Sequence, residues 1–247
     1  MYYNEYLISA GIDGCHIKFD GAPRQLPPGL NKDQFINRKG CYSLNVLVTG
    51  SYDHRILDLV LNAPGSYHDA GIWRVSQAKP YLELLFPRVH VLGDSAFPLT
   101  DTMIIPFSKE ETIADADKAL FNIRHSAARV EMTENIYGIW KQRFPILRQM
   151  RIGLENTMKV IECTAILHNI GIAWGDMMPR DMFPNDPPGR PPPVIDDVVV
   201  HNLVRPDVRR QQGVHARRGL QLMCLQSPPT GAEVRRVRRL QAQLADT

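Results

Sequence analysis

Cys41-Tyr-Ser-Leu-Asn-Val-Leu-Val-Thr-Gly-Ser-Tyr-Asp-His-Arg-Ile-Leu-Asp-Leu-Val-Leu-Asn62 is the stretch from which the fold is read. Two apolar runs, Cys41 to Thr49 and Ile56 to Asn62, have the length and composition of strands, and the Gly50-Ser-Tyr-Asp53 break between them is hairpin-sized. Upstream, Ile12 to Phe19 alternates as a strand, with Ile12, His16 and Lys18 on one face and Asp13, Cys15, Ile17 and Phe19 on the other. Residues 20–37, with Pro-Pro-Gly at 27–29, are loop-like. Downstream, Arg88 to Gly93 is a short apolar strand that ends in Asp94. The period then changes. Val130, Tyr137, Trp140 and Phe144 mark a helix over Ala127–Phe144 that Pro145 should end or kink. Met158, Ile161, Ala165 and Ile172 mark a second helix over Leu154–Trp174. Hairpin strands first, a later strand and then flanking helices predict an α/β or α+β mixed sheet.

The chain has 247 residues, of which 44% are apolar and 22% charged, enough for a sizeable core and too apolar for wholesale disorder. No run reaches the roughly 18 apolar residues of a membrane span, and Met1–Ala10 lacks the plan of a secretory signal. Cys15, Cys41, Cys163 and Cys224 are therefore expected as thiols. No Cys-x-x-Cys pair and no closely spaced histidine pair is present, which argues against a zinc site of standard spacing. The net charge of +3 is too small to argue for nucleic acid, but its distribution is uneven: residues 179–247 hold eleven Arg, no Lys and seven acids. Six prolines within 180–193 predict a boundary. We expect a body over 1–178 and a Pro/Arg-rich disordered tail over 179–247, with one helix near 231–244.

Four acids are candidates for chemistry: Asp13 in the first strand, Asp69 after the hairpin, Asp94 at a strand end and Glu134 in the first long helix. Glu134 shares a helical stripe with Val130 and Tyr137, which predicts a carboxylate turned toward the core. A buried charge needs a partner or a cation. Clustered carboxylates suit Mg or Mn, which prefer hard oxygen ligands and can activate water against a phosphodiester. Spacing alone leaves structural roles open: Asp69 as N-cap of a helix Ala70–Gln77, Asp94 in a turn, Asp13 half-exposed on its strand, Glu134 paired with Arg129 or Lys141. No phosphate-binding Gly-rich loop is present.

The string around Asp13, Arg38-Lys-Gly-Cys-Tyr-Ser-Leu-Asn45, Pro64-Gly-Ser-Tyr-His-Asp-Ala70, Gly93-Asp-Ser-Ala-Phe-Pro98, Phe121-Asn-Ile-Arg-His-Ser-Ala-Ala-Arg129, Glu134-Asn-Ile-Tyr-Gly-Ile-Trp-Lys-Gln-Arg-Phe144 and Ala165-Ile-Leu-His-Asn-Ile170 occur in order. Together they resemble the PIF/Harbinger group of DDE transposases, over roughly residues 8 to 172. The resemblance implies an RNase H-like nuclease fold and a Mg- or Mn-dependent endonuclease acting on DNA. It maps the DDE acids to Asp13, Asp94 and Glu134, and makes Asp69 an additional metal ligand. Departures are Asn135 after the motif Glu, Ala96-Phe97 in place of Gly-Tyr, Pro145 in place of a basic residue, and Glu131 as a rival third carboxylate.

Family members carry a helical DNA-binding segment before the first catalytic strand, and this chain begins almost at that strand. The resemblance thus implies either a separate helical, Myb-like DNA-binding partner protein or a truncated copy. It also implies a nuclear location, with the cytoplasm as a second compartment. The other function classes are a catalytically silent, domesticated DNA- or protein-binding scaffold on the same fold and a non-functional, truncated transposon remnant. Asn122, His125 and Arg129 are open to phosphate contact or to helix capping and surface charge, His16 and His68 to water activation or local hydrogen bonds, and His168 and Asn169 to core packing. The tail's Arg pairs suit a nuclear-import signal, a nucleic-acid arm or a solvated tail.

Overall fold

The computed structural model describes residues 7–76, 80, 82, 89–175 and 231–245. Its strands are β1 (Leu7–Lys18), β2 (Ser43–Gly50), β3 (Ile56–Pro64), β4 (Val89–Leu92) and β5 (Met103–Ile104). They form one sheet in the order β3-β2-β1-β4-β5. β2 and β3 are the expected antiparallel hairpin, while β1–β4 and β4–β5 are parallel, so the sheet is mixed. The helices are α1 (Asp69–Val75), α2 (Lys109–Ala114), α3 (Ala116–Met132), α4 (Glu134–Arg143), α5 (Leu154–Ala173) and α6 (Gly231–Ala245). This mixed α/β architecture is consistent with the RNase H-like fold. Among the described residues no helix is long and apolar enough to cross a membrane.

The chain divides into two compact units, one of residues 1–11, 80–130 and 198–247, the other of 12–79 and 131–197. The Pro-rich boundary and most of the tail lie outside the described residues. Helix α6 falls where the sequence predicts one.

In the second unit the core follows from period-2 alternation. Every residue of β2 is buried; Leu44, Val46 and Val48 face one way, toward Cys15 and Ile17 of β1 and Phe19 just after it. Ile136 and Trp140, one helical turn apart on α4, close over them, and Ile161 and Ala165 of α5 join the same core. Complete burial of side chains of this size contributes roughly 1.5–3 kcal/mol each. Ser43, Asn45 and Thr49 point to the other face of β2 and are buried too.

The hairpin tip is fixed by α5. His54 sits at φ 63°, a left-handed conformation that histidine tolerates better than most residues. Its carbonyl accepts a 2.8 Å hydrogen bond from His168 Nε2. Asn169 takes both backbone groups of Ile56, accepting from its N–H at 2.9 Å and donating to its carbonyl at 2.7 Å. His168 is fully buried, so these two residues do more than pack: they lock the start of β3 with directed bonds.

In the first unit α2 opens with a reciprocal capping box between Ser108 and Glu111. Asn122 of α3 holds both backbone groups of Phe107 at 2.8 Å. His125 is buried and donates to the Ile104 carbonyl at 3.1 Å. Both residues have the structural role, tying the segment after β5 to α3.

One expectation is corrected. The single helix over Ala127–Phe144 is two, α3 and α4, broken at Thr133, whose backbone (φ −134°, ψ −70°) leaves the helical region. Gly50, at the end of β2, lies against this break: a Cβ there would overlap the Met132 carbonyl and the tip of Ile136. Pro145 stops α4 as expected and opens a short 3₁₀ turn, Pro145–Arg148.

Candidate functional site

Asp13 lies near the middle of β1 and is half-buried. Its carboxylate accepts from the Gly14 N–H at 2.9 Å, and its carbonyl accepts from the Tyr137 hydroxyl of α4 at 2.7 Å. Alternation puts Asp13 on the same face as Cys15, the face that α4 covers. There Lys141 donates to the His16 carbonyl at 3.0 Å, and burial pushes the Cys15 thiol up against the opposing pull of Lys141.

Asp69 is not the N-cap of α1. His68 occupies that position, exposed and without a capping side-chain bond, and Asp69 is the first helical residue. The Asp69 carboxylate turns back instead to β2, accepting from Asn45 Nδ2 at 2.6 Å. The same amide group donates to the Tyr67 carbonyl at 2.8 Å, while Asn45 Oδ1 is buried and accepts no bond among the described residues. Asp69 sits where a side chain on Gly14 would be: a Cβ there would overlap its carboxylate and come within 2.7 Å of Asn45 Oδ1. Asp69 therefore approaches β1 from the face opposite Asp13. On that face His16 Nδ1 lies 3.1 Å from Ser43 Oγ. Burial holds the His16 imidazole below its ordinary value, against the upward pull of the Asp69 charge.

Asp94 follows β4 in a turn. Its carboxylate accepts from the Ala96 N–H at 2.9 Å and its carbonyl from the Phe97 N–H at 3.3 Å. Gly93 lets the chain lie close against β5 and the Phe97 ring, since a Cβ there would meet Met103 Sδ at 2.7 Å and Phe97 at 3.0 Å. The C-terminal end of a parallel strand is where open α/β sheets place ligands. In the sheet register Gly11 of β1 pairs with Leu92, the last residue of β4, and Asp94 follows Leu92 by two residues.

Glu134 is exposed at the first position of α4, which corrects the expected core-facing stripe: the break at Thr133 removes Val130 from its helix. The rival Glu131 is engaged. His54 Nε2 binds one of its oxygens at 2.9 Å and Asn135 Nδ2 donates to the other at 2.7 Å. The His54 bond, joined by Asn135, holds the Glu131 carboxyl below the usual range against the opposing effect of burial. Sequence reasoning missed His54, Asn45 and the clamp by His168 and Asn169. The one available signal was two adjacent polar residues, His168-Asn169, inside the otherwise apolar last turns of the helix, Ala165–Ala173.

The family described as DDE superfamily endonuclease matches residues 12–169. The chain belongs to this family. All four motif acids lie inside the matched range. Among curated relatives, the human protein named "Putative nuclease HARBI1" is 28% identical over 153 residues, 60% of this chain and 43% of its own. The mouse protein of that name is 27% identical over 167 residues, 66% of this chain and 46% of its own. The chain thus spans less than half the length of these curated relatives. No solved structure matches it. The resemblance to harbinger-type sequences is borne out by these matches.

DDE endonucleases generally use divalent metals. The donors present here fit such an ion in kind: Asp13, Asp94 and Glu134 offer hard oxygens, and neither Asp94 nor Glu134 is in an ion pair among the described residues. Among the described residues no three His, Cys, Asp or Glu side chains are grouped as a ready-made cation cage.

Proposed function

We propose that this chain is the catalytic body of a divalent-metal-dependent endonuclease that hydrolyses DNA phosphodiester bonds. Asp13, Asp94 and Glu134 are the catalytic carboxylates and hold Mg or Mn. The observation that carries this reading is the match of residues 12–169, which hold all four motif acids, to the family described as DDE superfamily endonuclease. The commitment of Glu131 to His54 and Asn135 supports it, because Glu134 is left as the open acid of the pair. When bound, the cation supplies Lewis acidity and neutralises charge at the scissile phosphate. The chain's own residues position the acids. Tyr137 anchors the Asp13 carbonyl, and the turn at Gly93 orients Asp94. Asp69, the additional acid of the His-Asp motif, acts from the opposite face by holding Asn45 against Gly14. DNA is the substrate, a separate Myb-like helical protein supplies sequence recognition, and the nucleus is the compartment.

The test is nicking of supercoiled plasmid in Mg or Mn. Asp13→Ala and Asp94→Asn should each lower the rate by more than about 100-fold. Mg or Mn should also raise the melting temperature of the wild type, and Asp94→Asn should remove most of that rise. One observation favours a second reading, a catalytically silent DNA-binding protein: no cation cage is formed among the described residues. That reading expects neither nicking nor a metal-dependent shift in melting temperature.

A further inference from the structure

The charge of helix α6 is sorted by side. Its sequence is Gly-Ala-Glu-Val-Arg-Arg-Val-Arg-Arg-Leu-Gln-Ala-Gln-Leu-Ala, with Glu233 the only acid. Val237 is buried with Ala119, Leu120 and Ile123 of α3. Glu233 is turned the same way and receives the Arg124 guanidinium of α3 through Nε at 3.0 Å and Nη2 at 3.3 Å. α6 also lies against α2. Among the described residues the helix is therefore seated on its own unit by the apolar contact of Val237 and by the two-pronged ion pair of Glu233.

The other side is unbalanced. Arg235, Arg236, Arg238 and Arg239 are all exposed. At about 100° per residue they fan across roughly 160° of the helix, with Val237 opposite. None of the four is in an ion pair among the described residues. Arg235–Arg238 and Arg235–Arg239 stand at the spacings where like charges repel, which weakens an isolated helix by a few tenths of a kcal/mol per pair. A surface that only needs solubility intersperses signs. Here the one acid is spent on seating the helix, and four guanidiniums share the free face. Guanidinium is the cation whose fork matches phosphate oxygens in pairs. A lipid surface is the weaker fit, because an interfacial helix needs its apolar side free and this one has Val237 packed on α3.

We propose that the Arg235–Arg239 face of α6 is a DNA-backbone contact, held on the folded body by Val237 and the Glu233–Arg124 pair. The inference rests on the endonuclease reading for its choice of DNA. It assigns the helix to substrate retention without sequence preference, since guanidinium–phosphate contacts carry no base information.

The experiment is titration of the full-length protein into a fluorescein-labelled 30-base-pair duplex in EDTA, at several salt concentrations. The same proteins are then assayed for plasmid nicking in Mg. R235Q/R236Q/R238Q/R239Q keeps helix propensity and removes only exposed charge, so its melting temperature should equal wild type. Its slope of log affinity against log salt should be shallower by about 3–4, and binding at low salt should weaken at least tenfold. Val237→Asp keeps every arginine but unseats the helix, and should weaken binding by more than half of that effect. Unchanged binding by the quadruple variant overturns the proposal, as does absence of wild-type binding. Unchanged binding by Val237→Asp shows that loose charge suffices and overturns the docked geometry. Sedimentation with phosphatidylserine vesicles that depends on the same arginines, without DNA binding, makes the face a membrane contact and overturns it too. If the wild type binds DNA through this face but nicks nothing, the endonuclease reading fails while this one stands.

Discussion

Gly14→Ala tests the packing at β1 without touching an acid. Gly14 does not lie in the left-handed region, so alanine fits the backbone and only space opposes it. Restricting the unfolded chain would by itself stabilise the protein by about 0.4–1 kcal/mol. Against this, the new methyl overlaps the Asp69 carboxylate and stands 2.7 Å from Asn45 Oδ1. Relief by a small shift costs about 1–3 kcal/mol, as for other overpacked sites. Displacing Asp69 also breaks its 2.6 Å bond from Asn45, a hydrogen bond from a buried amide (Asn45 is 2% exposed) to a charged group, worth about 1.5–3 kcal/mol. The net expectation is a loss of about 2–5 kcal/mol, read as a lower urea midpoint at unchanged slope. The double variant Gly14→Ala/Asp69→Ala supplies the control. With the carboxylate gone only Asn45 opposes the methyl, so Gly14→Ala should cost roughly half as much in that background. A Gly14→Ala protein within 0.5 kcal/mol of wild type refutes the packing argument, and so does strict additivity of the two changes.

Gly50→Ala should be at least as damaging as Gly14→Ala, because its methyl overlaps the backbone carbonyl of Met132 rather than a movable side chain; thermal melts followed by circular dichroism check this. Burial holds the His168 imidazole below its ordinary 6.5, with Arg143 and His54 beside it. On acidification the unfolded chain protonates first, so stability is full above about 6.5 and is lost as pH falls toward the lowered folded value. His168→Gln should flatten the pH dependence of the urea midpoint below 6.5 by at most about 1.4 kcal/mol per pH unit, and an unaltered slope would show that His168 does not titrate on unfolding. Iodoacetamide at neutral pH should label exposed Cys163 in the native protein and leave Cys15 unmodified until denaturant is added, as peptide mass mapping would show.

The strands were legible because burial writes itself into composition. β2 is buried along its whole length and is rich in Leu and Val, and the hairpin with β3 follows from the break at Gly50. The long helix α5 was legible from its period. β5, two residues long, carries no pattern of its own and exists only because Met103 and Ile104 pair with Val91 and Leu92. α2 is six residues and too short for a period, although its capping box, Ser108 with Glu111, was present as a local signal. The tail helix was placed correctly, but its seat was not. Composition offered a solvated arginine-rich segment, whereas Val237 and Glu233 depend on partners more than a hundred residues away in α3.

The acids show the same division more sharply. Asp13 was placed on its strand, and Asp94 just past the end of its strand, by local pattern. Glu131 and Glu134 are three residues apart in a stretch whose period is continuous, so the sequence offered one helix with Glu134 turned inward. What decides between them is tertiary. The end of β2 passes so close that Gly50 touches the Met132 carbonyl, and the helix breaks at Thr133. Glu134 then begins a new helix with its carboxylate in the open. His54, at a hairpin tip 77 residues upstream, reaches across to bind Glu131. The two carboxylates therefore differ in availability, though not in chemistry. Replacing His54 by Ala releases Glu131 and should let it compete for a cation, so metal-dependent nicking by His54→Ala/Glu134→Gln should exceed that of Glu134→Gln alone. If the two variants nick equally slowly, His54 serves the hairpin only, and the choice between the glutamates is made by helix geometry without it.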